Sequence, residues 1–183
     1  AADRLAQTAP DLCPDLVIGD MDSACKSVVD SYAERGAEVA DLREDQDSTD
    51  LTKALNAAAS RGFTRSIIMG EYMSVDRPDH TFGIMNSLFM CQKPQGPFDE
   101  IMVVSPLTVM RLLPPGDHVL SATVGSKCGL VPMAGSCSSI TTSGLEYDMD
   151  AACMAFGGLV STSNIVARDE VTVANSDPVI WTM

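Results

Sequence analysis

The chain has 183 residues, 45% of them hydrophobic and 20% charged, enough for one full domain or two small ones with a real core. That hydrophobic content with so modest a charged fraction excludes a disordered chain, and twelve Lys and Arg against 25 Asp and Glu, a net charge of -13, argue against nucleic acid or an anionic membrane as partner. A polyphosphate ligand would need a metal counter-ion.

No apolar run approaches the roughly 18–20 residues of a membrane span. The opening "AADRLAQTAPD" has neither a basic n-region nor an apolar h-region, so no secretory signal is expected. The six cysteines, at 13, 25, 91, 128, 137 and 153, show no C-x-x-C and no zinc-finger spacing with His80 or His118. Free thiols in a cytoplasmic setting are the expectation.

In chain order, "DLVIG" (15–19) is a short apolar run that predicts a buried strand. "SACKSVVDSYAERG" (23–36) predicts a helix, with Ser23 as N-cap and Gly36 as stop. "AEVADL" is a brief strand. "STDLTKALNAAASRG" (48–62) is the clearest helix, capped by Ser48 or Thr49, with Leu51, Leu55 and Ala58 on one face. "RSIIMG" (65–70) predicts a strand and "DHTFGIMNSLFM" (79–90) a helix. Repeated β-α-β units imply a mainly parallel sheet. "CQKPQGP" (91–97) then reads as a linker.

Beyond it, "DEIMVV", "TVMRLL", "HVLSATVG", "SSITTSGLEY", "EVTVAN" and "PVIWTM" are short, rich in Val, Ile and Thr, and separated by turns. That texture predicts an antiparallel β-sandwich or barrel. The expected fold is therefore α/β followed by a β-sandwich, divided into residues 1–94 and 95–183. Such small halves imply mutual docking or dimerisation.

Two stretches concentrate acid: "GDMDS" (19–23) and "DQDSTD" (45–50). If the first stays extended, Asp20 and Asp22 point the same way, at the carboxyl edge of a sheet where open α/β folds bind ligands. Asp47 and Asp50 flank a helix start. Gathered together, such carboxylates suit Mg²⁺. The same strings also serve as ordinary caps and turns. Phosphate loops and nucleophile elbows are absent. Cys128 beside Lys127 in "GSKCG" reads as a structural thiol in a turn rather than a nucleophile, and His118 as a satisfied strand residue. "GGLVSTSN" (157–164) is either a polar turn or a ligand site.

The ordered set "GDMDS", "DQDSTDLTKAL", "CGLVP", "TTSGLEYDM", "FGGLVSTSN", "VTV" and "WTM" resembles the thiamin pyrophosphokinase family over nearly the whole chain. The resemblance implies that ATP and thiamine react to give thiamin diphosphate and AMP with Mg²⁺. It also implies a homodimer, with sites between the α/β domain of one subunit and the sandwich of the other. By the same resemblance, residues 1–94 would bind ATP and Mg²⁺, and 95–183 would bind thiamine and dimerise. Asp20, Asp22 and Asp50 match the family's metal-binding carboxylates, and Gln46 a glutamine that contacts substrate and phosphate, making these four the catalytic set. Asp47, Thr49, Lys53, Arg77 and Asp79 fall on the ATP side. Ser161 and Asn164 fall on the thiamine side, with Tyr147 where many members carry Trp. Many members open on "ADGGANRL" where this chain reads "AADRL", so the family's first strand is expected to be absent, and Asp3 stands at the family's Asn. The Gly-Gly before the family's "GRxD" is not evident in "GEYMSVDRPD". Two other readings stay open on the residues: a non-catalytic binder of thiamin diphosphate or nucleotide, and another Mg²⁺-dependent nucleotide transferase.

Overall fold

The computed structural model describes residues 1–45, 47–70 and 77–183. The chain forms two compact units, Ala1–Phe63 and Thr64–Met183.

The first unit runs α1 (Ala2–Thr8), β1 (Leu16–Gly19), α2 (Lys26–Glu34), β2 (Glu38–Asp41) and α3 (Asp50–Ser60). β1 and β2 pair in parallel, Leu16 opposite Glu38 and Gly19 opposite Asp41, as the β-α-β pattern requires. Val17, Tyr32 and Ala37 form its small core, with Leu5, Val28 and Val29 packed around them. The N-cap of α2 is Cys25, not Ser23. The physical reason lies upstream: the Asp3 carboxylate accepts the Cys25 N–H at 3.0 Å and so takes over the capping role. For α3 the choice falls on Thr49, whose hydroxyl accepts from the Thr52 N–H at 3.2 Å. Ser48 turns instead to Asp45, at 2.5 Å.

The second unit begins with β3 (Arg65–Met69) and α4 (Pro78–Cys91). Nine more strands follow among the described residues: β4 (Glu100–Val104), β5 (Val109–Leu113), β6 (Gly116–Ser121), β7 (Lys127–Val131), β8 (Cys137–Ser143), β9 (Ala152–Met154), β10 (Ser161–Ile165), β11 (Glu170–Asn175) and β12 (Val179–Thr182). They make a six-stranded sheet, β10-β7-β12-β5-β4-β3, and a four-stranded sheet, β6-β11-β8-β9. Leu130, Val179 and Trp181 from the first sheet meet Ile140, Val171 and Val173 from the second in one core, which is the expected sandwich. The α/β and antiparallel parts both stand as expected.

The division does not fall where the Pro/Gly break suggested. β3 pairs in parallel with β4, Arg65 opposite Glu100, and so ties α4 and everything after Phe63 to the sandwich. The expected linker is a packed turn. Gln92 is 2% exposed, and its amide donates to Leu112 O at 3.1 Å and accepts the Ile101 N–H at 3.2 Å. Phe98 beside it is fully buried. The division at 94/95 is therefore not the division of the packing.

Three strands were not legible as strands. "KCGLV" is β7, with Gly129 admitting the backbone of β10: a Cβ there would sit 2.9 Å from Ser161 O. β9 is only three residues long. "STSNI" is β10, interrupted by a bulge between Ser161 and Asn164 with Ser163 at φ 59°.

Candidate active-site residues

In the first unit the acidic loops interlock. β1 stops at Gly19, and the chain does not stay extended: Met21 takes φ 61°, and Asp20 Oδ1 accepts the Asp22 N–H at 3.1 Å. Asp20 and Asp22 therefore come together through a turn, not through strand alternation. The consequence is electrostatic. Hydrogen bonds from the Asp22 amide and side chain hold the Asp20 carboxyl below its usual range. The Asp20 side chain and its charge, with the Asp50 charge adding, push the Asp22 carboxyl up.

Asp50 enters from the first turn of α3. Its Oδ1 accepts the Asp20 N–H at 3.1 Å. Gly19 makes the approach possible, since a Cβ there would lie 3.0 Å from the Asp50 carboxyl carbon and both its oxygens. Lys53, one turn on, has a side chain only 3% exposed, with Nζ 3.6 Å from Asp50 Oδ1. Asp45 is a turn former: it accepts the Asp47 N–H at 3.1 Å and the Ser48 hydroxyl, which holds its carboxyl low. Asp47 is exposed. Gln46 lies outside the described residues, as do 71–76 of the "GEYMSVDRPD" stretch.

Among the described residues no group of three or more His, Cys, Asp or Glu side chains is placed to hold a metal ion by itself. Mg²⁺ asks for less: one or two carboxylates, with waters and substrate phosphates completing the octahedron. Hard oxygen donors joined at one loop junction, as Asp20 and Asp50 are, fit that open kind of site.

In the second unit Arg77 caps the start of α4 and forks onto Asp79, with Nε 3.0 Å from Oδ1 and NH2 2.7 Å from Oδ2. The guanidinium holds the Asp79 carboxyl down at about 2. Both side chains are exposed, so this is a surface pair.

The β8–β9 loop carries Tyr147, whose side chain stands out at 64% exposure. The loop is cross-braced from two sides. The Asp148 carboxylate accepts the Leu145 N–H at 3.0 Å, the Thr142 hydroxyl at 3.1 Å and the Gly144 N–H at 3.2 Å. Asn164 is 3% exposed; its amide donates to Tyr147 O at 2.9 Å and Ser161 Oγ at 3.3 Å, and its Oδ1 accepts the Tyr147 and Ile165 N–H groups. That fills the bonding capacity of the side chain. Asn164 thus holds the backbone that presents Tyr147. Thr142, Gly144 and Asp148 do the same, and sequence reasoning missed them. Gly144, at φ 101° with a would-be Cβ 2.5 Å from Glu170 O, was the available signal.

Two other sequence candidates are structural. Cys128 is buried in β7, where burial pushes its thiol up. His118 Nε2 bonds Pro114 O at 2.8 Å.

Residues 1–98 match the family model "Thiamin pyrophosphokinase, catalytic domain", and residues 117–180 match "Thiamin pyrophosphokinase, vitamin B1 binding domain". Thiamine pyrophosphokinase 1 of Arabidopsis thaliana is 34% identical over 178 residues, covering 93% of this chain and 65% of that protein. Thiamin pyrophosphokinase 1 of Caenorhabditis elegans is 28% identical over 179 residues, covering 93% and 70%. The chain thus spans about 65% of the length of the Arabidopsis relative. The fold is that of the thiamin pyrophosphokinase from Candida albicans, with a TM-score of 0.82 at 19% identity over 98% of this chain and 76% of that one. The thiamine pyrophosphokinase from Bacillus subtilis superposes with a TM-score of 0.81 at 19% identity, over 99% and 82%. With its first 98 residues matched by the catalytic-domain model and its later strands by the vitamin B1 model, the chain belongs to the thiamin pyrophosphokinase family.

Proposed function

We propose that the chain transfers the pyrophosphoryl group of ATP to the hydroxyl of thiamine, giving thiamin diphosphate and AMP. The observation that carries this reading is the interlocked acidic corner, where Asp20, Asp22 and Asp50 meet at the carboxyl end of β1. That is where open α/β sheets hold ligands. The relatives' names support the same activity.

Asp20, Asp22 and Asp50 are the residues that would hold Mg²⁺. A metal held by these carboxylates would supply positive charge against the transferring phosphoryl group. The remaining work is positional. Lys53, Asp47, Thr49 and Gln46 belong to the nucleotide side of this reading, as do Arg77 and Asp79. Tyr147 offers a flat, exposed ring to the pyrimidine and cationic thiazolium of thiamine. Ser161 and Asn164 hold that ring's loop. The thiamine oxygen bonds to the β-phosphorus in line, the bond to the α-side bridging oxygen breaks, AMP leaves, and the hydroxyl proton is lost. A homodimer built through the sandwich and a cytoplasmic setting complete the proposal. All six thiols are free, and no described helix is long and apolar enough to cross a membrane.

Asp22→Asn tests the reading. It should lower kcat by about a hundredfold or more while leaving the melt and circular dichroism unchanged. Turnover near that of the parent would remove Asp22 from the chemistry.

A further inference from the structure

Lys53 is a buried cation at an acidic corner. A lysine with a side chain 3% exposed is costly unless its charge is matched. Its Nζ lies 3.6 Å from Asp50 Oδ1, the same oxygen that accepts the Asp20 N–H and so anchors the "GDMDS" loop. One ammonium therefore faces the carboxylate that ties the β1–α2 loop to the first turn of α3. A lysine kept only to meet a phosphate would gain nothing from facing inward.

We infer that Lys53 is the built-in counter-cation of this corner. It holds Asp50, and through it the "GDMDS" loop, in place before any metal arrives, and it gives up Asp50 when a divalent cation binds. The second half rests on the metal reading above; the first half does not. An ammonium and a divalent cation compete for the same carboxylate lone pairs, so Lys53 organises the site at the expense of metal affinity.

Lys53→Met removes the charge and keeps most of the stem. Melted in EDTA, it should unfold several degrees below the parent, and Mn²⁺ should close that gap. The Mn²⁺ Kd, followed by the spin resonance of free Mn²⁺ without nucleotide, should tighten about tenfold as the competing charge is lost. Asp50→Asn/Lys53→Met removes both charges and should recover most of the parent's melting temperature; it also serves if the single variant does not fold. Parental melting of Lys53→Met in EDTA overturns the inference, as does a double variant no more stable than the single. A lowered melt with an unchanged Mn²⁺ Kd overturns the competition. If the parent itself binds no Mn²⁺, the metal reading fails, while the EDTA melts still decide the role of Lys53.

Discussion

Tyr147 shows how much one exposure value decides. As a strand residue in "GLEY" it could equally have been core, but a side chain 64% exposed does not hold a core together. Its backbone N–H and C=O are both bonded by Asn164, while Asp148 braces the preceding turn through Gly144 and Leu145, so the backbone has little conformational freedom left to lose. Stacking a flat base on an aromatic side chain is worth roughly 1–3 kcal/mol. Tyr147→Ala should therefore raise the thiamine KM about tenfold and leave the ATP KM and the melting temperature nearly unchanged. Tyr147→Trp should be tolerated or bind thiamine more tightly, since solvent and not a packed wall surrounds the ring. Steady-state kinetics with each substrate varied in turn checks both; an unchanged thiamine KM in the alanine variant ends the stacking claim. Asn164 is the instructive contrast. It falls among the thiamine residues by resemblance, yet its amide is spent on Tyr147, Ser161 and Ile165, and removing it would strand buried backbone groups at roughly 1–3 kcal/mol.

At the scale of elements, periodicity was legible and pairing was not. β11 reads "EVTVAN" and buries every second residue, and α3 has a cap, an apolar face and a Gly stop. Such local signals reach the sequence directly. β7, β9 and β10 escaped because each owes its strand character to a partner. Gly129 is meaningful only beside Ser161, and β10 is polar because it is an edge strand with a bulge. The division of the packing differs from the expected 94/95 boundary for the same reason. Pro and Gly in "CQKPQGP" mark a turn, but only the β3–β4 pairing shows which side of the turn belongs to the sandwich. The acidic corner was legible as a set of residues and not as a geometry: the turn at Met21 and the Gly19–Asp50 contact are tertiary facts. The four-stranded sheet carries a further expectation. On its outer side Val119, Thr172 and Ser143 lie in register, with Val119 66% exposed. A two-fold contact through this face would place the same patch of each copy against the other. Sedimentation at micromolar concentration should give twice the chain mass, and Val119→Lys should shift it toward the single mass. A monomer that keeps full activity would reject the homodimer.

For the molecule as a whole, charge is the organising fact. A protein at -13 repels polyanionic ATP unless cations stand where the phosphates go. In the proposed reading the acidic corner answers this in two steps: Lys53 would balance Asp50 at rest, and a bound Mg²⁺ would supply the positive charge that the phosphates need. The resulting chemistry makes a sharp demand on products. Attack at the β-phosphorus releases AMP, whereas attack at the γ-phosphorus would release ADP and thiamin monophosphate. The purified chain should be incubated with ATP, thiamine and Mg²⁺, and the nucleotides and thiamine esters separated by chromatography. AMP and thiamin diphosphate should appear in equal amounts, only when thiamine and Mg²⁺ are both present. ADP as the product, or AMP formed without thiamine, would contradict pyrophosphoryl transfer.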